Sequence, residues 1–115
     1  GRRPGVDRPR GAGAARVLGV PSYRVRMVVG DLRPGVDPAT VLPAAADAAA
    51  ELTAVEAQYL EVVRGEPRLT VRFEAPDDEA AGAVRRAVVA RTDALVEVLA
   101  SRVSRRWGAR WYPLR

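Results

Sequence analysis

The chain contains no cysteine and no histidine, and lysine, isoleucine and asparagine are also missing from its 115 residues. Without cysteine it can form no disulfide and has no thiolate nucleophile, and without histidine it lacks the commonest general base and metal ligand. Without lysine it can form neither a Schiff base nor the lysine contact of a phosphate-binding loop. We therefore expect a non-enzymatic protein that carries neither a metal nor a cofactor.

Lysine, isoleucine and asparagine all have AT-rich codons, so their absence indicates the high-GC genome of a bacterium. All 19 basic residues are arginine, and alanine, valine and glycine are also abundant. Because a mutational bias accounts for this choice, the arginine content alone does not indicate phosphate recognition.

Charge is distributed unevenly along the chain, whose net charge is +5. Residues 1–20 carry five arginines and one acid, residues 21–100 nine arginines and thirteen acids, and residues 101–115 five arginines and no acid. Residues 1–21 mix Gly, Pro, Ala and Arg without hydrophobic periodicity, which predicts a flexible basic arm. We expect one folded domain over residues 22–115.

The sequence contains no apolar run long enough to span a bilayer. Its N-terminal residues also lack the apolar core of a secretory signal. These patterns predict a cytoplasmic protein that makes no membrane contact.

Alternating residues on either side of a Gly-containing turn predict a β-hairpin in which Tyr59–Arg64 pairs with Arg68–Phe73. Further strands are predicted at Tyr23–Val29 and at Ala109–Leu114, where Pro113 favours an edge position. Helical patterns lie between these strands, giving the order β-α-β-β-α-β. We therefore predict an α+β fold of the ferredoxin-like type, a two-layer sandwich with a four-stranded antiparallel sheet and two helices on one face.

The first helix is predicted to follow a short turn at Pro38–Leu42 and to begin near Pro43. Its inward face is predicted to carry Val41, Ala45, Ala48, Leu52 and Val55. The second helix is predicted to start at Pro76 and the acidic run Asp77–Glu79, and to stop near Arg102 or continue to Arg106. Its apolar stripe is predicted to consist of Val84, Val88, Leu95 and Leu99. Neighbouring valines widen this stripe, so either the first helix or a partner is expected to cover it.

The strand alternation also predicts which side chains lie on the sheet face that no helix covers. Arg24, Arg26 and Arg72 are predicted to lie there. The other residues predicted on this face are Tyr59, Glu61, Thr70 and Glu74. RNA-recognition domains bind RNA on the same face, but through aromatic residues of the central strands. Here the central strands present Arg, Thr and Glu, so the resemblance to those domains is one of architecture only.

The C-terminal segment 105–115 holds three of the six aromatic residues, interleaved with four arginines. Such a mixture can track phosphates and stack bases, and it is also enriched at protein interfaces. A third alternative is that the aromatic side chains only pack the last strand. The candidate contacts in this segment are Arg105, Arg106, Trp107 and Arg110, which join Arg24, Arg26 and Arg72. We expect Trp111 to be buried against the helices and Trp107 to be more exposed near the end of the second helix.

These patterns predict a small interaction or assembly module that contacts a protein partner or a second copy of itself through the sheet face or the second helix. The alternative is a nucleic-acid- or ribosome-associated protein that uses its Arg-rich termini. A weaker alternative is a ferredoxin-like dimer that binds a small molecule.

Overall fold

The computed structural model describes residues 19–114, so residues 1–18 of the predicted basic arm lie outside the described residues. The structure is of the α+β class, with two α-helices and a five-stranded antiparallel sheet. The elements, in chain order, are β1 (Ser22–Leu32), α1 (Val41–Ala50), β2 (Val55–Val63), β3 (Glu66–Glu74), α2 (Asp78–Asp93), β4 (Val96–Trp107) and β5 (Arg110–Pro113).

The strands lie in the order β2-β3-β1-β4-β5, and every neighbouring pair is antiparallel. The described part of the chain therefore forms five strands instead of the four predicted. The strand beside β1 is β4, which was predicted to be part of the second helix, and the predicted last strand Ala109–Leu114 contributes the short edge strand β5. Pro113 lies in that edge strand, as predicted.

The predicted hairpin is confirmed, since Tyr59 lies opposite Thr70 in an antiparallel ladder. The turn between β2 and β3 consists of Arg64 and Gly65, which have φ values of 54° and 79°. A two-residue turn with two positive φ angles has the right-handed twist that joins adjacent antiparallel strands without splaying them. Glycine adopts this conformation without strain, and it takes the second of the two turn positions.

Helix α1 begins slightly earlier than predicted, at Val41, after one 3-10 turn at Pro38–Thr40. The carboxylate of Asp37 caps that turn by accepting a hydrogen bond of 3.0 Å from the backbone N–H of Ala39. Pro43 is the third residue of the α-helix, where its missing N–H has no intrahelical partner to lose. The helix ends at Ala50. Of the predicted inward residues that follow it, Leu52 is exposed and Val55 belongs to β2.

Helix α2 begins as predicted: the Asp77 carboxylate accepts a hydrogen bond of 2.8 Å from the N–H of Ala80. It ends at Asp93, so the prediction that it continues to residue 102 or 106 was wrong. The Asp93 carboxylate accepts a hydrogen bond from the N–H of Val98, which stabilises the turn from the helix into β4. Val84 and Val88 of the predicted stripe are buried. Leu95 lies in the turn, and Leu99 lies exposed on β4.

The hydrogen-bonding groups of β1 explain why residues 96–107 form a strand. β1 has 11 residues and lies inside the sheet, so its backbone groups need partners on both sides. The 12 residues of β4 can satisfy this requirement along most of β1. The four residues of β5 could not. The apolar residues of this segment fit either a helical or a strand pattern, and the open edge of β1 decides between them.

The core lies between the sheet and the two helices, which pack on the same sheet face. Tyr23 and Phe73, on neighbouring strands, are fully buried and stack with their ring centroids 6.0 Å apart. The residues of α1 that are buried here are mostly alanines, which lets the helix lie close to the sheet. Within residues 19–114, no helix is both long and apolar enough to cross a membrane.

Candidate binding surface on the open sheet face

The sheet face opposite the helices, which we call the open face, is defined by alternate residues of the three inner strands, β3, β1 and β4. The ladder registers place Arg24 opposite Arg72 of β3 and Ser104 of β4. The next row places Arg26 opposite Thr70 and Arg102. The residues predicted for this face lie where the alternation places them. The remaining outward residues on β2 and β3 include Ala57, Tyr59, Glu61, Arg68 and Glu74.

Two cross-strand pairs on the open face bring like charges together. Arg24 lies directly opposite Arg72, and Arg26 lies directly opposite Arg102. Directly opposed like charges destabilise a sheet, because the side chains of such a pair lie only about 5 Å apart at their Cβ atoms. Burial, and then repulsion from Arg26, lowers the pKa of Arg24. The face therefore concentrates positive charge in pairs whose mutual repulsion opposes folding.

Carboxylates neutralise only part of this charge. Glu56 accepts from Arg72 at 3.3 Å, Glu61 lies 3.9 Å from Arg26, and Glu66 lies 2.9 Å from Arg68. Three more arginines, all on β1 or β4, have no carboxylate at ion-pairing distance within residues 19–114: Arg24, Arg102 and Arg106. The excess of positive charge lies over β1 and β4.

Trp111 adds an aromatic side chain to the open face. It belongs to the edge strand β5, yet its ring lies 4.5 Å from the guanidinium carbon of Arg24 and 5.3 Å from that of Arg72. The guanidinium of Arg106, directly opposite Trp111 in the ladder, lies 6.0 Å away. All three distances are within the range of a cation–π interaction. The indole therefore reaches across the sheet from its edge to the central strands.

A small residue allows this crossing. Ser104 lies between β1 and β5 on the open face and is buried. A larger side chain there would occupy the space through which the indole passes. The prediction that Trp111 is buried against the helices was wrong: it is half-buried and lies on the other side of the sheet. The sequence alone could not predict the sheet face on which Trp111 lies, because that face depends on how β5 pairs with β4.

The face also holds buried polar atoms that have no hydrogen-bond partner among residues 19–114. They are the Nε atoms of Arg24, Arg26 and Arg72 and the hydroxyl oxygen of Thr70. Three of these four atoms belong to arginines of the like-charged pairs.

The other predicted contact residues lie apart from this surface. Of the C-terminal candidates, only Arg106 is on the open face. Arg105, Trp107 and Arg110 are on the helix side of the β4–β5 hairpin, where the guanidinium of Arg105 lies 4.1 Å from the Trp107 ring. Trp107 is 56% exposed, which agrees with the prediction that it is more exposed than Trp111. It lies at the end of a strand, however, and not near the end of a helix.

Arg105 instead belongs to a polar cluster at the start of α2. Asp78 accepts hydrogen bonds from the Tyr23 hydroxyl at 2.7 Å and from Arg105 at 3.1 Å. The Tyr23 hydrogen bond, followed by that of Arg105, lowers the pKa of Asp78. Burial and the bond to Asp78 raise the pKa of Tyr23 to about 12. Each shift is explained by the cluster itself, which ties α2 to the sheet, so the cluster is structural.

The chemistry available on the open face is recognition of negative charge. Guanidinium groups donate paired hydrogen bonds to phosphate and carboxylate oxygens, and a half-buried indole can stack on a planar group through its accessible part. Within the described residues, no three acidic side chains come together as a possible metal site. Comparison of the chain with protein-family models, with curated proteins and with solved structures finds no match.

Proposed function

We propose that this protein is a non-enzymatic binding module and that its open face binds single-stranded nucleic acid. The observation that carries this proposal is the pair of directly opposed arginines on the central strands, Arg24 with Arg72 and Arg26 with Arg102. Their mutual repulsion opposes folding, so a bound polyanion would relieve a cost that the free protein bears. An uncharged or basic partner would offer no such gain.

The arrangement along β1 suits an extended chain of phosphates. Arg24 and Arg26 are two residues apart and therefore separated by about 6.8 Å along the strand. Arg106 lies beyond one end of this pair, beside Trp111, and Arg102 lies beside the other. A single strand lying along β1 would thus meet successive guanidinium groups, each able to hold a phosphate in a bidentate contact.

Trp111 would stack a base of the bound strand. Proteins that bind single strands without sequence preference combine a basic track with aromatic stacking, which contributes about 1–3 kcal/mol per base. In sheets that bind RNA, the aromatic residues belong to the central strands. Here the edge strand would supply the aromatic side chain instead, because the indole lies next to Arg24 of the central strand.

Binding of labelled single-stranded oligonucleotides, measured by fluorescence anisotropy at several salt concentrations, tests this proposal. Arg102→Gln should weaken binding and lower the salt slope by about one, the contribution of one phosphate contact. Arg86→Gln is the matched control, since Arg86 is also exposed but lies on α2, away from the open face. Equal effects of the two substitutions, or binding that does not depend on salt, would refute the proposal.

A second candidate function is a protein contact through the helix side of the β4–β5 hairpin. Trp107 is 56% and Tyr112 46% exposed there, and exposed aromatic residues are enriched at protein interfaces. Capture of partners from a native lysate, with and without nuclease, separates the two functions. A protein partner that survives nuclease treatment and is lost in Trp107→Ala would favour this second candidate.

We also propose that residues 22–107 form a ferredoxin-like unit to which β5 is an addition. The element order β-α-β-β-α-β of this part supports the assignment. In this proposal β5 has a functional role, because it brings Trp111 over the open face.

A further inference from the structure

A third cross-strand row continues the open face and has small side chains at its centre. Val28 lies opposite Arg68 of β3 and opposite Ala100 of β4. In the row beside it, Arg26 lies opposite Arg102. All five residues line an open cavity of about 360 Å³, a size at the low end of the range for pockets that bind small molecules. Val28 and Ala100 are shorter than the arginines around them, so the cavity lies between three arginine side chains.

The cavity carries an excess of positive charge. Arg68 is paired with Glu66 at 2.9 Å, and the carboxylate of Glu61 lies farther from Arg26, at 3.9 Å. No carboxylate of residues 19–114 lies at ion-pairing distance from Arg102. A site with excess positive charge attracts most strongly the ligand group with the greatest negative charge.

The basic track of the open face ends just beyond this cavity. The next outward position on β1 is Gly30, and the side chain of Glu97 lies over it. A Cβ atom built on Gly30 would lie 2.7 Å from Oε1 of Glu97 and 3.4 Å from a methyl carbon of Leu99. A nucleic-acid strand that continued along β1 would therefore bring its next phosphate to a carboxylate and an apolar side chain, where it would be repelled.

From these observations we propose that the cavity between Arg26, Arg68 and Arg102 binds the phosphorylated end of a single-stranded nucleic acid. This inference rests on the function proposed above and names the part of the strand that the closed end of the track selects. A phosphate monoester, such as a terminal phosphate, carries about −1.5 to −2 charges at pH 7, whereas an internal phosphate diester carries only one. The excess of guanidinium groups favours the monoester, and Glu97 disfavours a strand that continues past the cavity.

Fluorescence anisotropy with internally labelled strands of one sequence tests the proposal. One strand has hydroxyl groups at both ends, the second carries a 5′-phosphate, the third carries a 3′-phosphate, and the fourth has hydroxyl ends but is longer by a single nucleotide. At least one phosphorylated strand should bind about fivefold more tightly than the hydroxyl-ended strand, as expected for one added ion pair. The longer strand should gain less, because its additional charge is an internal phosphate.

Variants of the protein locate the source of this gain. Arg68→Gln should remove it and should change the affinity for the hydroxyl-ended strand by less than about twofold. Arg91→Gln is the matched control, because Arg91 also pairs with a carboxylate, that of Glu51 at 2.9 Å, but lies on α2. It should retain the full gain. Glu66→Gln releases Arg68 from its carboxylate and should enlarge the gain.

Several results would overturn the inference. They are the absence of any gain from a phosphate at either end, an equal gain from the longer strand, and a gain that survives Arg68→Gln. A gain that is lost in Arg91→Gln or is unchanged in Glu66→Gln would overturn it as well. In each case, salt-dependent binding of the hydroxyl-ended strand that Arg102→Gln weakens would leave the proposed function intact. If none of the strands bound, the proposed function and this inference would both be refuted.

Discussion

The two tryptophans provide the sharpest test of the tertiary structure, because they are four residues apart and have different surroundings. Trp111 is half-buried on the open face and contacts the guanidinium groups of Arg24 and Arg72. Trp107 is 56% exposed, and among residues 19–114 it stacks only on Arg105. We therefore expect Trp111→Ala to lower the free energy of unfolding much more than Trp107→Ala.

The expected magnitudes follow from burial. Truncating a fully buried Trp to Ala costs about 3–5 kcal/mol, so a half-buried indole with three cation–π contacts should cost about 2 kcal/mol. Trp107→Ala removes one exposed cation–π contact, and its cost should stay below about 1 kcal/mol. With a urea m-value of about 1–2 kcal/mol/M for a domain of this size, Trp111→Ala should move the unfolding midpoint down by about 1–2 M.

Urea unfolding followed by circular dichroism measures both variants without relying on tryptophan fluorescence. Trp111→Phe serves as a control that keeps an aromatic ring near Arg24, and it should recover part of the loss. Equal midpoint shifts for Trp107→Ala and Trp111→Ala would refute the reasoning. It would mean that the indole of Trp111 does not lie across the open face.

Two further predictions concern α2. The raised pKa of Tyr23, about 12 against 10 in the unfolded chain, contributes stability that is present below pH 10 and is lost as pH rises to 12. Tyr23→Phe should cost about 1 kcal/mol at neutral pH and should reduce this alkaline loss, as measured by urea unfolding at several pH values. If the Tyr23→Phe variant lost stability at alkaline pH as steeply as the wild type, Tyr23 would not be the group responsible for that loss. Asp77→Ala should lower stability by about 1 kcal/mol through loss of the N-cap, and Asp77→Asn should restore most of it. The unfolding temperatures of the two variants measure this effect. Equal temperatures for Asp77→Ala and Asp77→Asn would show that the side chain of residue 77 does not stabilise the helix as an N-cap.

The local sequence pattern was sufficient to predict much of this structure. The alternation in β1 predicted that Arg24 and Arg26 lie on the face opposite the core, because successive side chains of a strand point to opposite sides. The glycine-containing turn predicted the β2–β3 hairpin, and Pro76 with the acidic run Asp77–Glu79 predicted the start of α2. Each of these inferences depends only on residues close together in sequence. The arginines of the candidate surface were largely identified for the same reason.

Tertiary structure decided the secondary structure of residues 94–107 and the sheet face on which Trp111 lies. The apolar residues of that segment fit a helix as well as a strand, and it became β4 because the long inner strand β1 needs a hydrogen-bonding partner on its second side. Once β4 was a strand, the short turn at Gly108 returned the chain as β5 and placed Trp111 on the open face. The contact between Trp111 and Arg24 joins distant parts of the chain, so no local pattern could indicate it. The sequence by itself therefore determined that Arg24, Arg26 and Arg72 face outward, and the pairing of β1 with β4 decided which aromatic side chain meets them.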